Sequence, residues 1–571
     1  MATAPRRGRD VSAAQRGRPL SEVLATDAPR PRGAASVNAP SAGLDGGQRV
    51  QILDTLRAVL GGAYAHLPAK RAAYAVDPVQ ALVLLRRRAA DLSEADFHFA
   101  VTGLVTGLRD AHTRYIGPSS LRGYVAALPF LVEQYGPPED PQYLVTKIAP
   151  DLADIDPSFR AGVVIEWWNG VPMNRAVEVY ADRETGGRPD SRRARALETL
   201  TFRSLSYGPP PDEHRVDLGY RTARGTRREL RLPWRVIEPQ QAATAVVKGS
   251  RAALKVASDP AAEAVRRAKK LLFAHAAWAA EPVPGTPLRS AMAPFGAAGA
   301  GAPRVGQWLD TPMQDVVSAR ALSKSVGHLR IWSFDVQDDD LFLAEVSRLL
   351  GLLPQTGLIV DVRGNPGGLV WAAERMLQLF TDTPIAPTRF SLVASPLTRE
   401  MAASPFNRLE LEAWAPSLED AVATGDQYAQ PLPLTDPAWC NDLGRRYPGP
   451  AVAVADANTY SSGDLFSAGW VDHDIGPLVT VGQATGGGGA NVWTAAQLRD
   501  ALSGTEHAID ALPAGVSYTI AIRRAIRSGL SDGVPIEDLG VPGVSYDMTR
   551  DDLLHDNQDL IAFCTTLLTN A

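Results

Sequence analysis

A chain of 571 residues exceeds what one hydrophobic core can fill, so about three or four folding units are expected. Hydrophobic side chains at 45% and charged ones at 21% fit a globular protein and exclude a fibrous or wholly disordered one. The net charge of -5, from 58 basic and 63 acidic side chains, leaves no electrostatic footprint for nucleic acid or an anionic membrane, and Cys440 and Cys564 alone exclude a disulfide framework and a Cys-rich zinc site.

Residues 1–46 are rich in Ala, Arg, Pro, Gly and Ser without periodicity and are expected to be a disordered tail. No apolar run follows Arg6 and Arg7, so neither a Sec nor a twin-Arg signal is formed, and no stretch reaches the roughly 18 apolar residues of a membrane span. A cytoplasmic location is the resulting expectation, with export by another route left open. Residues 47–120 read as a helical unit, with Leu53, Leu56, Val59 and Leu60 at helical spacing. That unit ends in Gly107-Leu-Arg-Asp-Ala-His-Thr113, where Gly and Asp break the helix and put His112 on a loop.

Residues 121–239 hold short β-type runs such as Val163-Val-Ile-Glu-Trp between turn residues. Residues 240–304 are expected to be a linker or inserted segment, with a helix over 261–280 and a Pro/Gly/Ala linker over 282–303. Such a segment could cover the site and need to move or be cut. From 305 to 571 strand and helix alternate: Leu329 to Phe334, a helix from Asp340 to Leu353, Gly357 to Val362, and a helix after Gly368. Ala451 to Ala455, a helix from Ser462 to Asp472 and a last strand from Leu478 to Gly482 follow. This alternation predicts an α/β core with a parallel sheet and right-handed crossover helices.

Two turns in that core can carry chemistry. Ser461, in Asp456-Ala-Asn-Thr-Tyr-Ser-Ser-Gly-Asp464, lies where a strand meets a helix, so the helix aims free N–H groups and its positive end at whatever occupies the hydroxyl. Ser461-x-x-Asp464 is also close to a capping box, which would make this serine a helix cap only. Asp361-Val-Arg-Gly-Asn-Pro-Gly-Gly368 is a glycine turn that can present N–H groups, or an ordinary strand-to-helix connection.

Taken together and in order, these motifs resemble the C-terminal processing (tail-specific) protease family of serine peptidases. Leu108-Arg-Asp-Ala-His-Thr113 is similar to the motif that precedes the PDZ domain of that family, and Ile536-Glu-Asp-Leu-Gly-Val541 to its C-terminal one. The resemblance covers roughly residues 95 to 560 and implies a crotonase-like (ClpP-type) core with an inserted PDZ-like domain. The family's Ser-Lys dyad is absent, because the last lysine of the chain is Lys324. The sequence is closer to the branch of the tricorn core protease and the chlamydial protease-like activity factor, which pairs serine with histidine and glutamate.

Carried over position by position, Ser461 is the expected nucleophile, His112 the base and Glu537 the carboxylate. Ser462 with Gly367 or Gly368 would form the oxyanion hole. The implied function is a serine endopeptidase acting on extended or unfolded polypeptide, with no cofactor, no metal, no nucleic acid or membrane partner, and possible homo-oligomerisation. The alternative is a peptide-binding scaffold of the same fold without catalysis. His473 is read as a solvated residue at a helix end. Ser531, in Gly529-Leu-Ser-Asp-Gly533, is read as a turn residue, because no helix follows it. The glycine run 486–489 lacks the Lys-Ser/Thr of a phosphate-binding loop.

Overall fold

The computed structural model describes residues 17–22, 43–118, 122–149, 152, 156–238, 259–273, 304–404 and 411–570. Residues 46–106 form four helices, Gly46–Gly62, Leu67–Tyr74, Pro78–Arg88 and Glu94–Thr106. Asp45, Asp77 and Ser93 cap three of them by accepting main-chain N–H groups, which ends the orphaned first turn of each helix. Their apolar faces, including Leu53, Leu56, Leu82 and Phe97, join the main core.

Within the expected tail the described part behaves differently. Arg18 and Pro19 pair with Val236 and Arg235, and the adjacent Leu20 is fully buried in the second core. A pairing of only two residues, Arg18 and Pro19, is too short to show the period-2 alternation of a strand, so composition alone could not reveal it. Residues 122–238 build two antiparallel sheets, one of which places Val125–Ala127 between Arg235–Ile237 and Phe202–Ser204. The helices Met173–Ala181 and Pro189–Thr199 pack on them, around a core that contains Trp168 and Trp234.

The segment after residue 239 contains a helix at Pro260–Phe273; the remainder of the helix expected to residue 280 and the linker expected over 282–303 lie outside the described residues. Asp259 precedes this helix and is wholly buried.

The C-terminal unit is a mixed sheet. Gly327–Ile331, Leu358–Asp361, Ala451–Asp456 and Leu478–Ala484 run parallel to one another. The helices Asp339–Leu352, Val370–Leu377 and Ser462–Asp472 lie in the connections between them. Buried Leu, Ile and Val on both faces of the strands explain the continuous apolar runs. The strand at Leu478 does not close the sheet as expected, because Pro542–Tyr546 adds beside it antiparallel, as Val317–Ala321 does at the other edge.

A second, antiparallel sheet is built on Ser517–Ile526, which pairs with Ala490–Thr494 and Arg389–Leu392. The region 385–445, expected to be irregular, supplies two of its strands and the helices Pro396–Ala403 and Ala415–Thr424. This sheet positions the site, because the strand Arg114–Ile116, just past His112, pairs with its central strand.

Candidate active site

Ser461 ends the turn after Ala451–Asp456 and precedes the helix Ser462–Asp472. Its backbone is at φ 59° and ψ -123°, a region that side chains rarely adopt and that costs on the order of 1–3 kcal/mol. The capping box is not made. The Ser461 side chain makes no cap bond, and the Asp464 carboxylate is taken up by the N–H groups of Gly487 and Gly488 and by the Thr485 hydroxyl. Its Oγ is buried without a hydrogen-bond partner, so the hydroxyl is not spent on the helix.

Gly367 lies directly against this serine. A Cβ there would be 2.5 Å from Ser461 Cβ and 2.9 Å from both Ser461 Oγ and Ser462 N. Only a residue without a side chain allows such an approach, and its φ of +98° requires glycine as well. Gly367 donates its N–H to Asn365 Oδ1 at 2.9 Å. Ser462 Oγ donates to the Gly368 carbonyl at 2.9 Å, which ties the two turns together. Among the described residues no acceptor takes the N–H of Ser462 or of Gly368.

His112 stands on the loop between the helix Glu94–Thr106 and the strand Arg114–Ile116. The loop is fixed from two sides. Thr519 Oγ1 donates to the His112 carbonyl at 2.8 Å and Ala521 N to Thr113 Oγ1 at 3.1 Å, while Asp110 accepts the His112 N–H at 2.8 Å and the Thr113 hydroxyl at 2.8 Å. The imidazole packs on Tyr460, with ring centroids 4.7 Å apart, and both its nitrogens are buried without partners. Burial lowers its pKa to about 4, against the opposing pull of Asp110 and Asp259, so the ring is neutral at neutral pH.

Arg195 also lies against Tyr460, its guanidinium 4.5 Å from the ring centroid. Arg195 pairs with Asp259 at 2.6 Å, and Asp259 with Arg114 at 3.1 Å. One buried carboxylate thus joins the sheet-rich unit, the inserted helix and the His112 loop. Burial alone would raise the Asp259 pKa, but the two arginines hold it far below the usual carboxylate range.

Glu537 is buried beside the glycine run, with Gly489 N donating to its Oε2 at 3.2 Å. Asp464 accepts Gly487 N at 3.0 Å and Gly488 N at 2.9 Å, so these glycines span from the helix of Ser461 to Glu537. Among the described residues no hydrogen bond links Ser461 to His112, or His112 to Glu537. Glu537 is instead paired with Lys70 at 2.7 Å and faces His66 Nε2 at 3.7 Å. The ligating atoms of His66, Asp110 and Glu537 lie within 4.8 Å of one another. The Lys70 ammonium already supplies positive charge there, which disfavours a metal ion.

Sequence reasoning missed Lys70, Tyr460, Arg195 and Asp259. Tyr460 is next to the expected nucleophile and Asp110 falls within the His112 motif, so both were open to notice; nothing local marks the others. The other histidine weighed, His473, caps the C-terminal end of the helix Ser462–Asp472 and is half-buried there. Its Nε2 accepts Ala386 N at 2.8 Å and its Nδ1 is 2.9 Å from the Gly469 carbonyl. Ser531 lies in a short turn, Gly529–Ser531.

Residues 325–522 match the profile of Peptidase family S41, and residues 124–241 that of a PDZ domain. Among solved structures, mature CPAF complexed with lactacystin is 17% identical, with a TM-score of 0.60 over 92% of this chain and 99% of that one. Mature CPAF alone gives 17% and 0.60 over 92% and 98%; these likenesses speak to the fold. The photosystem II D1 C-terminal processing protease is 16% identical, with a TM-score of 0.36 over 93% and 98%, too low to add weight. No curated protein matches the chain significantly, and no helix among the described residues is long and apolar enough to cross a membrane. A strained serine at the head of a helix and a neutral buried imidazole accompany a segment, residues 325–522, that is similar to Peptidase family S41, and a PDZ domain over residues 124–241; the protein is a serine-type peptidase with a PDZ domain.

Proposed function

We propose that this protein is an endopeptidase that cleaves extended or unfolded polypeptide through an acyl-enzyme on Ser461, with a crotonase-like core, a PDZ-like substrate-binding domain and a helical unit that carries the base. The observation that supports this most is the Ser461 hydroxyl itself: at the head of its helix it makes no cap bond and is buried without a hydrogen-bond partner, so no helix requires it. A serine hydroxyl is a weak nucleophile until a base accepts its proton. His112, neutral through burial, is the base, and Glu537 is the carboxylate of the triad.

As Oγ attacks the scissile carbonyl, its proton passes to His112 and the carbonyl oxygen becomes an oxyanion. The N–H groups of Ser462 and Gly368 receive that charge; Gly367 is the weaker candidate, because its N–H is already donated to Asn365. Donors of this kind each contribute about 2.7–4 kcal/mol to the transition state. The imidazolium, favoured by the charge of Asp110 and, in this reading, by the triad carboxylate Glu537, then gives its proton to the leaving amine. Water repeats the sequence on the ester and releases the acid. Polypeptide is the natural substrate for a PDZ-like unit, which takes an extended strand along a sheet edge.

The test is fluorophosphonate labelling and hydrolysis of fluorescein-labelled casein by the wild type and by Ser461→Ala, His112→Ala and Glu537→Gln. Loss of labelling in Ser461→Ala, and losses of hydrolysis on the order of 10³-fold or more in Ser461→Ala and His112→Ala, are expected. Labelling that persists in Ser461→Ala would remove this serine from the chemistry.

A further inference from the structure

Lys70 touches both loops of the proposed triad. It lies on the short helix Leu67–Tyr74, and its side chain is fully buried. Lysine is seldom buried unless paired, and here the pairing is complete. Nζ lies 2.7 Å from Glu537 Oε1, 2.5 Å from Asp538 Oδ1 and 3.0 Å from the Arg109 carbonyl. Arg109 opens the loop that ends in His112, while Glu537 and Asp538 belong to the loop that supplies the carboxylate.

Two of these contact points are backbone positions that resist their own geometry. Arg109 has φ 57° and Asp538 has φ 65°, left-handed conformations that non-glycine residues hold only when their surroundings impose them. The ammonium bonds the carbonyl of one and the side chain of the other. We propose that Lys70 is a positioning residue of the active site, which joins the His112 loop to the Glu537 loop and supplies the buried counter-charge of Glu537. This rests on the reading of Glu537 as the triad carboxylate.

The charges around Glu537 support it. Facing it are Lys70 and His66 from the N-terminal unit, Asp110 from the His112 loop, Asp538, and the phenols of Tyr64 and Tyr460. Burial holds the Glu537 carboxyl well above the ordinary carboxylate range, Asp110 and Asp538 add to that rise, and Lys70 is the strongest influence limiting it. His66 cannot replace it, because burial lowers its pKa to about 3 and leaves it neutral. Without Lys70 the Glu537 carboxyl would take up a proton at higher pH and stop stabilising an imidazolium.

The experiment compares Lys70→Met, Lys70→Arg, Glu537→Gln and the Lys70→Met/Glu537→Gln pair in the full chain. It reads thermal melts, kcat and KM on fluorescein-labelled casein, and the pH profile of kcat/KM. Lys70→Met is expected to lose kcat on the order of 10²-fold with KM little changed, and to move the acid limb of the profile to higher pH. Lys70→Arg should recover part of kcat, and the pair should be no worse than Glu537→Gln alone. If Lys70→Met does not fold, the pair, which lacks the unpaired Glu537 charge, is compared with Glu537→Gln. Extra loss in the folded pair, or a Lys70→Met enzyme with wild-type kcat and acid limb, overturns the proposal. Wild-type kcat in Glu537→Gln would instead overturn the triad reading, and this inference with it.

Discussion

Gly488 is pressed flat against the ring of Tyr460: a Cβ at this position would lie 2.0 Å from Tyr460 Cζ and 2.2 Å from Cε2. The same ring packs on His112 from another side. The glycine turn that follows the nucleophile helix therefore has no room at this position for a lysine, and the space is filled by the support of the imidazole. Gly488→Ala should accordingly displace Tyr460, cost about 1–3 kcal/mol through overpacking and reduce kcat with the fold retained. Gly488→Lys should not create a working Ser-Lys pair. Thermal melts and casein hydrolysis check both, and a fully active, undestabilised Gly488→Ala enzyme would contradict this packing.

The backbone of Ser461 gives a second expectation. At φ 59° and ψ -123° a glycine would feel little of the strain borne by serine, even after its larger entropy in the unfolded chain is counted. Ser461→Gly should be inactive and about 1 kcal/mol more stable than Ser461→Ala. Chemical denaturation of the two variants measures the difference; equal stabilities would mean that the turn is relaxed.

The buried imidazole of His112 should titrate far from solution values. Burial lowers its pKa to about 4, so the ring stays neutral, and able to accept the Ser461 proton, down to about pH 4. The linked stability has a definite sign. Because the unfolded chain binds this proton near the ordinary histidine value of 6.5 and the folded chain only near 4, the fold loses stability as pH falls through that window. Selective ¹³C labelling of histidine, with His112→Gln for assignment, reads the midpoint. A value at 6 or above would mean that the ring is solvated.

Glu374 is a buried carboxyl with no cation paired to it among the described residues. It accepts Thr388 N at 2.8 Å and a hydrogen bond from Thr435 Oγ1, and burial raises its pKa to about 7. A carboxyl with a raised folded-state pKa contributes its full stability below the unfolded value of 4.5 and loses it as pH rises through about 7. The loss approaches about 3 kcal/mol at most, at roughly 1.4 kcal/mol per pH unit. Glu374→Gln, which cannot ionise, should match the wild type at pH 5 and melt higher at pH 8.5. Melting curves at the two pH values decide, and the same difference at both would exclude the ionisation.

Much of the core was legible because its signals are local. The helix Ser462–Asp472 was read at its observed ends, where an apolar strand, polar turn residues and an acidic first turn follow within a dozen positions. The parallel strands at Leu358 and Ala451 were read from unbroken apolar runs, which strands buried on both faces must have. The antiparallel sheet around Ser517–Ile526 was not, since its register depends on pairings such as Leu392 with Arg523 that no local pattern encodes.

The same division separates the site residues. By itself the sequence determined which serine stands at a strand-to-helix turn, which histidine stands on a loop, and that no lysine follows Ser461, because turn chemistry and composition are properties of neighbours. Tertiary structure alone decided that the Ser461 hydroxyl is left free of its helix, that Tyr460 fills the space over Gly488, and that Lys70 reaches Asp538 across 468 positions of chain. Those outcomes depend on which groups burial forces together, and charge, volume and hydrogen-bond demand are settled only when distant segments share the same interior.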